Sequence, residues 1–167
     1  NTLLISSTNS RILGAVAFGS GTSDTLSFAG YTKPVTVSLD SATSTAAGGV
    51  AIGGTPIITG AVSGFESLVG GSDSDTLNAA SGANTLSVAS GGVTTLDSLT
   101  VSAFETINLG AGSDASADTA TVSGAFSGTV DLGDGGDTAT INDGGSVTSL
   151  VGGAGTDTLN LDGANNT

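Results

Sequence analysis

A short step, Asp followed by Ser or Thr and then by Leu or Ala, recurs along the second half of the chain. Successive steps begin at nearly even intervals: Asp75-Thr76-Leu77, Asp97-Ser98-Leu99, Asp118-Thr119-Ala120, Asp137-Thr138-Ala139 and Asp157-Thr158-Leu159. Two positions beyond the apolar residue of each step lies another apolar residue: Ala79, Val101, Val122, Ile141 and Leu161. Such alternation is typical of β-strands with one apolar face, and we expect both apolar positions to point into a core.

A second apolar series lies about half a period away. Its members follow one another at similar intervals: Leu68, Leu86, Ile107, Val130 and Leu150. The next inward positions hold Gly70, Val88, Leu109, Leu132 and Gly152. Each repeat of about 20 residues is therefore predicted to contain two short strands. Strands this short cannot bury an apolar face alone, so stacked repeats must supply a continuous core.

These patterns predict an all-β protein. The 28 Gly residues and many Ser, Thr and Asp residues lie between short apolar runs, as turn residues do, and no stretch has helical periodicity. The repeat fits a parallel β-helix or β-roll with coils of about 20 residues. An antiparallel β-sandwich, with the same strands joined as hairpins, is the alternative. The nearly constant spacing favours the coil.

The chain divides by regularity into residues 1–60, a less regular N-terminal β region, and residues 61–167, the repetitive region. A terminal repeat is expected to be atypical because it caps the open end of the core. Alternatively, an apolar N-terminal strand joins the sheet of the next subunit. Both interpretations stay open at this point. Because no signal sequence opens the chain, we expect a mature product or an excised fragment.

The composition excludes several classes of function. Arg11 and Lys33 are the only cations against 15 carboxylates, which gives a formal charge of −13. Binding to nucleic acids or anionic membranes needs more cations than this, and no apolar run is long enough for membrane insertion. Without His or Cys, nucleophilic triads are unavailable, so we expect no enzyme. The only two glutamates, Glu66 and Glu105, occupy equivalent repeat positions, which indicates a structural role.

One segment matches a known metal-binding pattern. Residues 152–160, Gly-Gly-Ala-Gly-Thr-Asp-Thr-Leu-Asn, fit the nonapeptide G-G-x-G-x-D-x-U-x, where U is a large apolar residue. The segment resembles the calcium-binding repeat of RTX proteins; residues 70–78 and 132–140 match in part, and residues 110–114 share the turn. Carried over by position, the resemblance implies calcium as a cofactor, with these candidate ligands: Asp157, Asp137, Asp75 and Asp114. In RTX proteins the nonapeptide repeats follow one another directly in tandem. In this chain, longer strands separate the corresponding turns. The alternative is that each Asp hydrogen-bonds its own turn while Gly supplies positive φ.

The steps Gly64-Phe65-Glu66-Ser67-Leu68 and Ala103-Phe104-Glu105-Thr106-Ile107 resemble those of RTX-like bacterial surface proteins: giant adhesins, haemagglutinin-like proteins and S-layer proteins. The resemblance covers about residues 60–163. It implies an extracellular, cell-surface location and a structural role in a surface or matrix. Because the open ends of a coil have unpaired strand edges that must be capped or joined, we expect self-association into a homo-polymer that forms a surface layer, sheath or filament. A calcium-stabilised stalk of a large adhesin is the alternative. A cell-surface polysaccharide is a further candidate partner. We expect the two Phe side chains to fill corners of the coil.

Overall fold

The computed structural model describes residues 1–7, 9–39, 45–46, 50–52, 55–110 and 114–163. Within these ranges the regular elements are all β-strands, which confirms the all-β prediction. The strands are β1 Thr2–Leu4, β2 Val16–Ala17, β3 Thr25–Ser27, β4 Val35–Ser38, β5 Thr45–Ala46, β6 Val50–Ile52, β7 Thr55–Ile58, β8 Val62–Ser63, β9 Ser67–Val69, β10 Thr76–Asn78, β11 Thr85–Val88, β12 Thr94–Leu96, β13 Leu99–Ser102, β14 Thr106–Asn108, β15 Thr119–Val122, β16 Ala125–Asp131, β17 Asp134–Gly135, β18 Thr138–Asn142, β19 Ser146–Val151, β20 Ala154–Gly155 and β21 Thr158–Asp162.

Two large sheets contain most of these strands. Sheet 1 has nine strands in the order β1-β3-β9-β13-β12-β11-β15-β18-β21, and sheet 2 has seven in the order β19-β16-β14-β10-β4-β6-β7. A three-stranded sheet (β2-β8-β5) and a two-stranded sheet (β17-β20) complete the described strands. Among these strands, each sheet has two free edges, and none closes on itself.

Parallel pairing dominates the described strands. Twelve of the seventeen strand pairs are parallel, and five are antiparallel. The strands on either side of a parallel pair need a crossover connection rather than a tight hairpin. Parallel sheets are therefore confirmed, and the antiparallel sandwich does not describe these sheets.

The sequence separation between paired residues varies along the chain. From β15 onward it is nearly constant, as the pairs Ala120↔Ala139 and Ala139↔Leu159 show. Nearer the N-terminus it is much larger, since Leu26 pairs with Leu68 and Leu77 pairs with Ile107. The predicted repeat length therefore holds only in the last third of the chain. Upstream, extra segments lengthen the path between partners.

One of those extra segments, β12, explains why the predicted Asp series is not a single column. β12 is inserted antiparallel between β11 and β13 in sheet 1. As a result, the step at Asp75 begins a strand of sheet 2, whereas the steps at Asp118, Asp137 and Asp157 begin strands of sheet 1. Asp97 lies in the turn between β12 and β13. The inserted strand keeps the alternation, so no sequence pattern marks the change of sheet.

The inward side chains of both large sheets pack into one core. Leu68 and Leu86 of sheet 1 and Leu77 and Ile107 of sheet 2 are fully buried and belong to the same cluster. On the outer side of sheet 1, Thr residues pair along neighbouring strands: Thr85↔Thr119, Thr119↔Thr138 and Thr138↔Thr158. This is the predicted separation of an apolar inner face from a hydroxyl-bearing outer face.

The two predicted corner residues, Phe65 and Phe104, are also buried. Each follows a residue in the left-handed region of backbone conformation, Gly64 with φ 75° and Ala103 with φ 55°. Only Gly adopts that region without a steric cost, so Ala103 is held there by the surrounding packing. The chain turns sharply at these two points and then enters β9 and β14.

Burial ends at the last strand of sheet 1. Leu159 and Leu161 are 56% and 59% exposed, although their partners on β18, Ala139 and Ile141, are 1% and 8% exposed. The prediction that Leu159 and Leu161 lie in the core is therefore wrong for this structure. Their alternation is the same as in the buried strands, but β21 is the final strand of sheet 1 and no described strand covers it.

No helix among the described residues has both the length and the hydropathy needed to cross a bilayer.

Two Leu→Ala substitutions at matched positions test where the core ends. Leu86→Ala removes a fully buried side chain, and we expect the free energy of unfolding to fall by about 2–5 kcal/mol. Leu161→Ala removes an exposed one, and we expect a loss below about 1 kcal/mol for the monomer. Urea denaturation at low protein concentration measures both. Equal losses for the two variants would contradict the exposed position of Leu161.

Candidate functional site: buried carboxylate ladders

A line of side-chain acceptors crosses the C-terminal half of sheet 1 just before its strands begin. Asp118 Oδ1 accepts the backbone N–H of Asn84 at 2.6 Å. Asp137 Oδ1 accepts that of Asp118 at 2.8 Å, and Asp157 Oδ1 accepts that of Asp137 at 3.1 Å. We call Asn84, Asp118, Asp137 and Asp157 the C-terminal ladder. Each member immediately precedes one Thr of the paired Thr column, so the ladder runs along the start of the sheet.

The same contact recurs elsewhere in both large sheets. Glu66 Oε2 accepts the N–H of Asp24 in sheet 1, and Glu105 Oε2 accepts the N–H of Asp75 in sheet 2, both at 2.8 Å. Asp75 Oδ1 in turn accepts the N–H of Val35 at 2.8 Å. The two glutamates thus have the equivalent, structural contacts that their sequence positions indicated, although they lie in different sheets.

These contacts satisfy a specific backbone need. Before β3, β10, β11, β15 and β18, the backbone N–H of the residue that precedes the strand points toward a neighbouring strand, and a carboxylate side chain accepts it. Asp24, Asp75, Asp118 and Asp137 are all at most 2% exposed, so an unpaired N–H there would cost free energy. A carboxylate makes a stronger hydrogen bond to N–H than a neutral acceptor does. The repeated Asp is thus explained by strand register as well as by turn chemistry.

Glycines in the preceding turns leave room for the carboxylates. A Cβ atom at Gly70 would lie 1.7 Å from the Ala103 carbonyl oxygen and 2.8 Å from Asp75 Oδ2, and one at Gly152 would lie 2.7 Å from Asp157 Oδ2. Both glycines stand at the first position of the G-G-x-G-x-D pattern that ends in the Asp. In this structure the pattern has a steric explanation that needs no metal ion.

The expectation that each Asp binds its own turn holds only in part. Asp75 Oδ2 accepts the N–H of Gly71 in its own turn, as that interpretation expects. The ladder bonds of Asp118, Asp137 and Asp157 instead cross to the neighbouring strand. Sequence reasoning missed this relation between repeats. One feature of the sequence could have indicated this relation: Asn84, like Asp118, Asp137 and Asp157, stands directly before a Thr that begins a strand.

Burial sets the electrostatics of two of these aspartates. Burial is the largest effect on the pKa of Asp118 and raises it above its ordinary value; two hydrogen bonds from Asn84 lower it, and the charges of Asp137 and Asp114 raise it further. Burial also raises the pKa of Asp75, against the lowering effect of the N–H groups of Val35 and Gly71. In contrast, hydrogen bonds from the Ser116 hydroxyl and the Gly82 N–H lower the pKa of Asp114.

Two buried carboxylate oxygens among the described residues have no hydrogen-bond partner: Oδ2 of Asp24 and Oδ2 of Asp137. Both residues are 1% exposed. A buried polar oxygen without a partner costs free energy, so each is a place where a cation or a hydrogen-bond donor would be stabilised.

The four candidate calcium ligands do not converge in this structure. Asp137 and Asp157 are neighbours in the C-terminal ladder, and Asp75 belongs to sheet 2. Asp114 contacts Gly82 and Ser116, and the turn residues 111–113 before it lie outside the described residues. Among the residues that the structure describes, no group of three or more His, Cys, Asp or Glu side chains is placed to hold a metal. Calcium binding at these four residues stays a prediction.

Comparison with known proteins adds no relative. The chain matches no known protein family, and no curated protein or solved structure is similar enough to indicate a relationship. Its class is therefore that of an all-β protein with mainly parallel sheets, and its function must be argued from its own residues.

The raised pKa values give the stability a definite pH dependence. Because Asp75 and Asp118 bind protons more readily in the folded than in the unfolded protein, their contribution to stability increases as the pH falls through the raised pKa values. The increase is complete near pH 4, the ordinary range of an aspartate. We expect a higher melting temperature at pH 5 than at pH 7.5. Asp118→Asn, which keeps one acceptor oxygen for the Asn84 N–H, should be more stable at pH 7.5 and show a smaller rise in melting temperature on acidification.

Asp114→Asn is the matched control for this experiment. The lowered pKa of Asp114 places its titration below the window, and its stabilising effect is lost only at lower pH. This variant should keep most of the rise in melting temperature between pH 7.5 and pH 5, because the charge of Asp114 is the smallest of the effects that raise the pKa of Asp118. If the melting temperature of Asp118→Asn rose on acidification as much as that of the unaltered chain, while that of Asp114→Asn did not rise, the stabilising protons would bind outside the ladder.

Proposed function

We propose that this protein is a non-enzymatic structural module of a bacterial cell surface, which self-assembles end to end into a layer, sheath or filament. The observation that carries the proposal is the uncovered end of the stacked strands. Leu159 and Leu161, on the last strand of sheet 1, are 56% and 59% exposed, and Val147 and Leu150, on the last strand of sheet 2, are only partly buried. Large exposed apolar side chains grouped at one place are typical of an interaction surface.

The proposal includes a β-helical path for the chain. From β15 onward the strands alternate between the two large sheets: β15 in sheet 1, β16 in sheet 2, then β18 and β19. Each return to a sheet adds a parallel neighbour at nearly the same sequence separation, as in Thr119↔Thr138, Val130↔Leu150 and Thr138↔Thr158. This regular return supports a coil. A coil has open ends with unpaired strand edges, which must be capped or joined to another molecule.

The absence of catalysis is part of the proposal and is supported by how the carboxylates are used. A glycosidase needs two carboxyl groups facing a substrate. The only two glutamates, Glu66 and Glu105, each accept a backbone N–H, and the buried Asp residues of the ladders do the same. The extracellular location rests on the resemblance to RTX-like surface proteins and on the acidic composition.

Concentration-dependent assembly tests the proposed function. We expect the purified chain to shift from monomers to longer particles as its concentration rises, as measured by analytical ultracentrifugation and negative-stain electron microscopy. Leu161→Lys should abolish the assembly because it places a charge on the uncovered end. Val93→Lys makes the same change of charge at a 53% exposed apolar residue in the turn before β12, and it should assemble normally.

Monomers of the unaltered chain at every concentration would contradict the proposed function. Equal inhibition by Leu161→Lys and Val93→Lys would show nonspecific hydrophobic association in place of joining through the end.

A calcium-stabilised stalk is the second candidate function, favoured by the unpartnered Oδ2 of Asp137. An ionised carboxylate oxygen suits calcium, which takes six to eight oxygen ligands in a flexible geometry. Because no three acidic side chains converge among the described residues, most of these ligands would have to be backbone carbonyls. The Ser116 carbonyl lies close to Gly135 beside Asp137, since a Cβ at Gly135 would clash with that oxygen.

A thermal-shift titration tests this second function. If calcium binds at Asp137, millimolar calcium should raise the melting temperature of the unaltered chain, and Asp137→Asn should reduce that gain. Asp97→Asn is the matched control, since Asp97 lies in the turn between β12 and β13 and should leave the gain intact. A melting temperature independent of calcium would contradict the stalk function, and an equal gain in Asp137→Asn would place the ion elsewhere.

A further inference from the structure

Sheet 1 begins and ends with strands that run in the same direction. Its two outermost strands are β1 and β21. All neighbours in this sheet are parallel except at β12, which is antiparallel to both β11 and β13, so the direction reverses twice and is restored. A second copy whose strands run in the same direction can therefore lie beyond β21, with its own β1 beside β21 as another parallel strand.

The free edge of β21 offers the same backbone groups that β18 offers to β21. Thr158 N–H bonds the Asp137 carbonyl, so the backbone of Thr158 and Asn160 faces β18. By the alternation of a parallel strand, the N–H and C=O groups of Asp157, Leu159 and Leu161 point to the free edge. Their counterparts on β18, beginning with Asp137, point to β21 in the same way.

The free edge of β1 offers the complementary set. Thr25 N–H bonds the Asn1 carbonyl and Ile5 N–H bonds the Ser27 carbonyl, so Asn1, Leu3 and Ile5 face β3. Thr2 and Leu4 therefore face the free edge, as Thr158 and Asn160 face β18. Alignment of Thr2 with Thr158 in this pattern also aligns Leu3 with Leu159 and Ile5 with Leu161. Leu3 and Ile5 already pack in the core, so this register would cover both exposed leucines.

The ladder continues across the same register. In each ladder bond, the residue before a strand gives its N–H to a side chain at the same position on the next strand. Asp157 is the last acceptor of the C-terminal ladder and its own N–H points to the free edge, and Asn1 holds the corresponding position before β1. The terminal amino group and the Nδ2 of Asn1 bond Asp24 Oδ1 of the same chain, which leaves the side-chain oxygen of Asn1 as the acceptor for the Asp157 N–H.

The distribution of charge also favours contact between the C-terminal end of one copy and the N-terminal end of the next over contact between two C-terminal ends. Residues 61–167 hold 13 of the 15 carboxylates and neither cation, so their formal charge is −13, whereas residues 1–60 are formally neutral. Two C-terminal ends brought together would repel each other strongly. An acidic C-terminal end against the neutral N-terminal region, which carries Arg11 and Lys33, avoids this repulsion.

We propose that β21 of one copy pairs in parallel with β1 of the next copy, with Thr158 aligned to Thr2, and that this joint extends sheet 1 across copies. The inference rests on the proposed function, since it names the partner and the register of the self-assembly. It assigns the joint to sheet 1 because β7, the outer strand of sheet 2 at the N-terminal side, contains Pro56, which has no N–H to donate.

Two variants that each block one side of the joint test the proposal. Leu159→Pro removes an N–H from the free edge of β21, and Leu4→Pro removes one from the free edge of β1. Neither removes an N–H that faces a neighbouring strand of the same chain. Each variant alone should stay monomeric. An equimolar mixture should form a heterodimer and nothing longer, because each variant keeps one usable edge, as measured by analytical ultracentrifugation. Circular dichroism and melting curves confirm that both are folded.

The outcomes separate this inference from the proposed function. Assembly of the unaltered chain that persists in either folded variant would overturn the β21–β1 joint and leave the self-assembly intact. No assembly of the unaltered chain would overturn both, since a second copy would then not cover β21. If either Pro variant is unfolded, Leu161→Lys replaces Leu159→Pro and Thr2→Pro replaces Leu4→Pro, with the same expected heterodimer.

Discussion

The hydrogen bond from the backbone N–H before one strand to a carboxylate before the next is the interaction on which the parallel sheets depend. Asp118, Asp137 and Asp157 repeat it across sheet 1, and Glu105 makes it in sheet 2. A shift of register by one residue would turn each Leu outward and each Thr inward. The ladder opposes this shift because its acceptors reach only one N–H on the neighbouring strand. It does so at a cost, since burial raises the pKa of Asp118 and the N–H bonds offset only part of that effect.

Alternation in the sequence was sufficient to predict the inward and outward faces but not the order of the strands. Leu77, Ala120 and Ala139 were predicted as inward residues from alternation alone, and all three are buried. Alternation is a local property, so it survives the insertion of β12, and the Asp75 and Asp118 steps looked like members of one series. Which strand pairs with which depends on contacts between strands far apart in the chain, and the spacing of short motifs does not determine these.

The carboxylate ladder was only half visible in the sequence. The equivalent positions of Glu66 and Glu105 indicated a structural role, and both accept the N–H that precedes a neighbouring strand. That Asp137 bonds across repeats depends on the direction of its side chain at the strand entrance. Leu159 and Leu161 show the same limit: their pattern matches buried strands, but their exposure depends on whether another strand lies beyond β21.

The segregation of charge bears on the direction in which an assembly of this chain would grow. With a formal charge of −13 in residues 61–167, the sides of neighbouring stacks repel each other, and at physiological ionic strength this repulsion acts over about 8 Å. The proposed contact between β21 and β1 would combine backbone hydrogen bonds and buried Leu side chains, which salt screens little. Growth along the stack is therefore favoured over growth at its sides, so the same charges that strain the ladder would keep the assembly a filament.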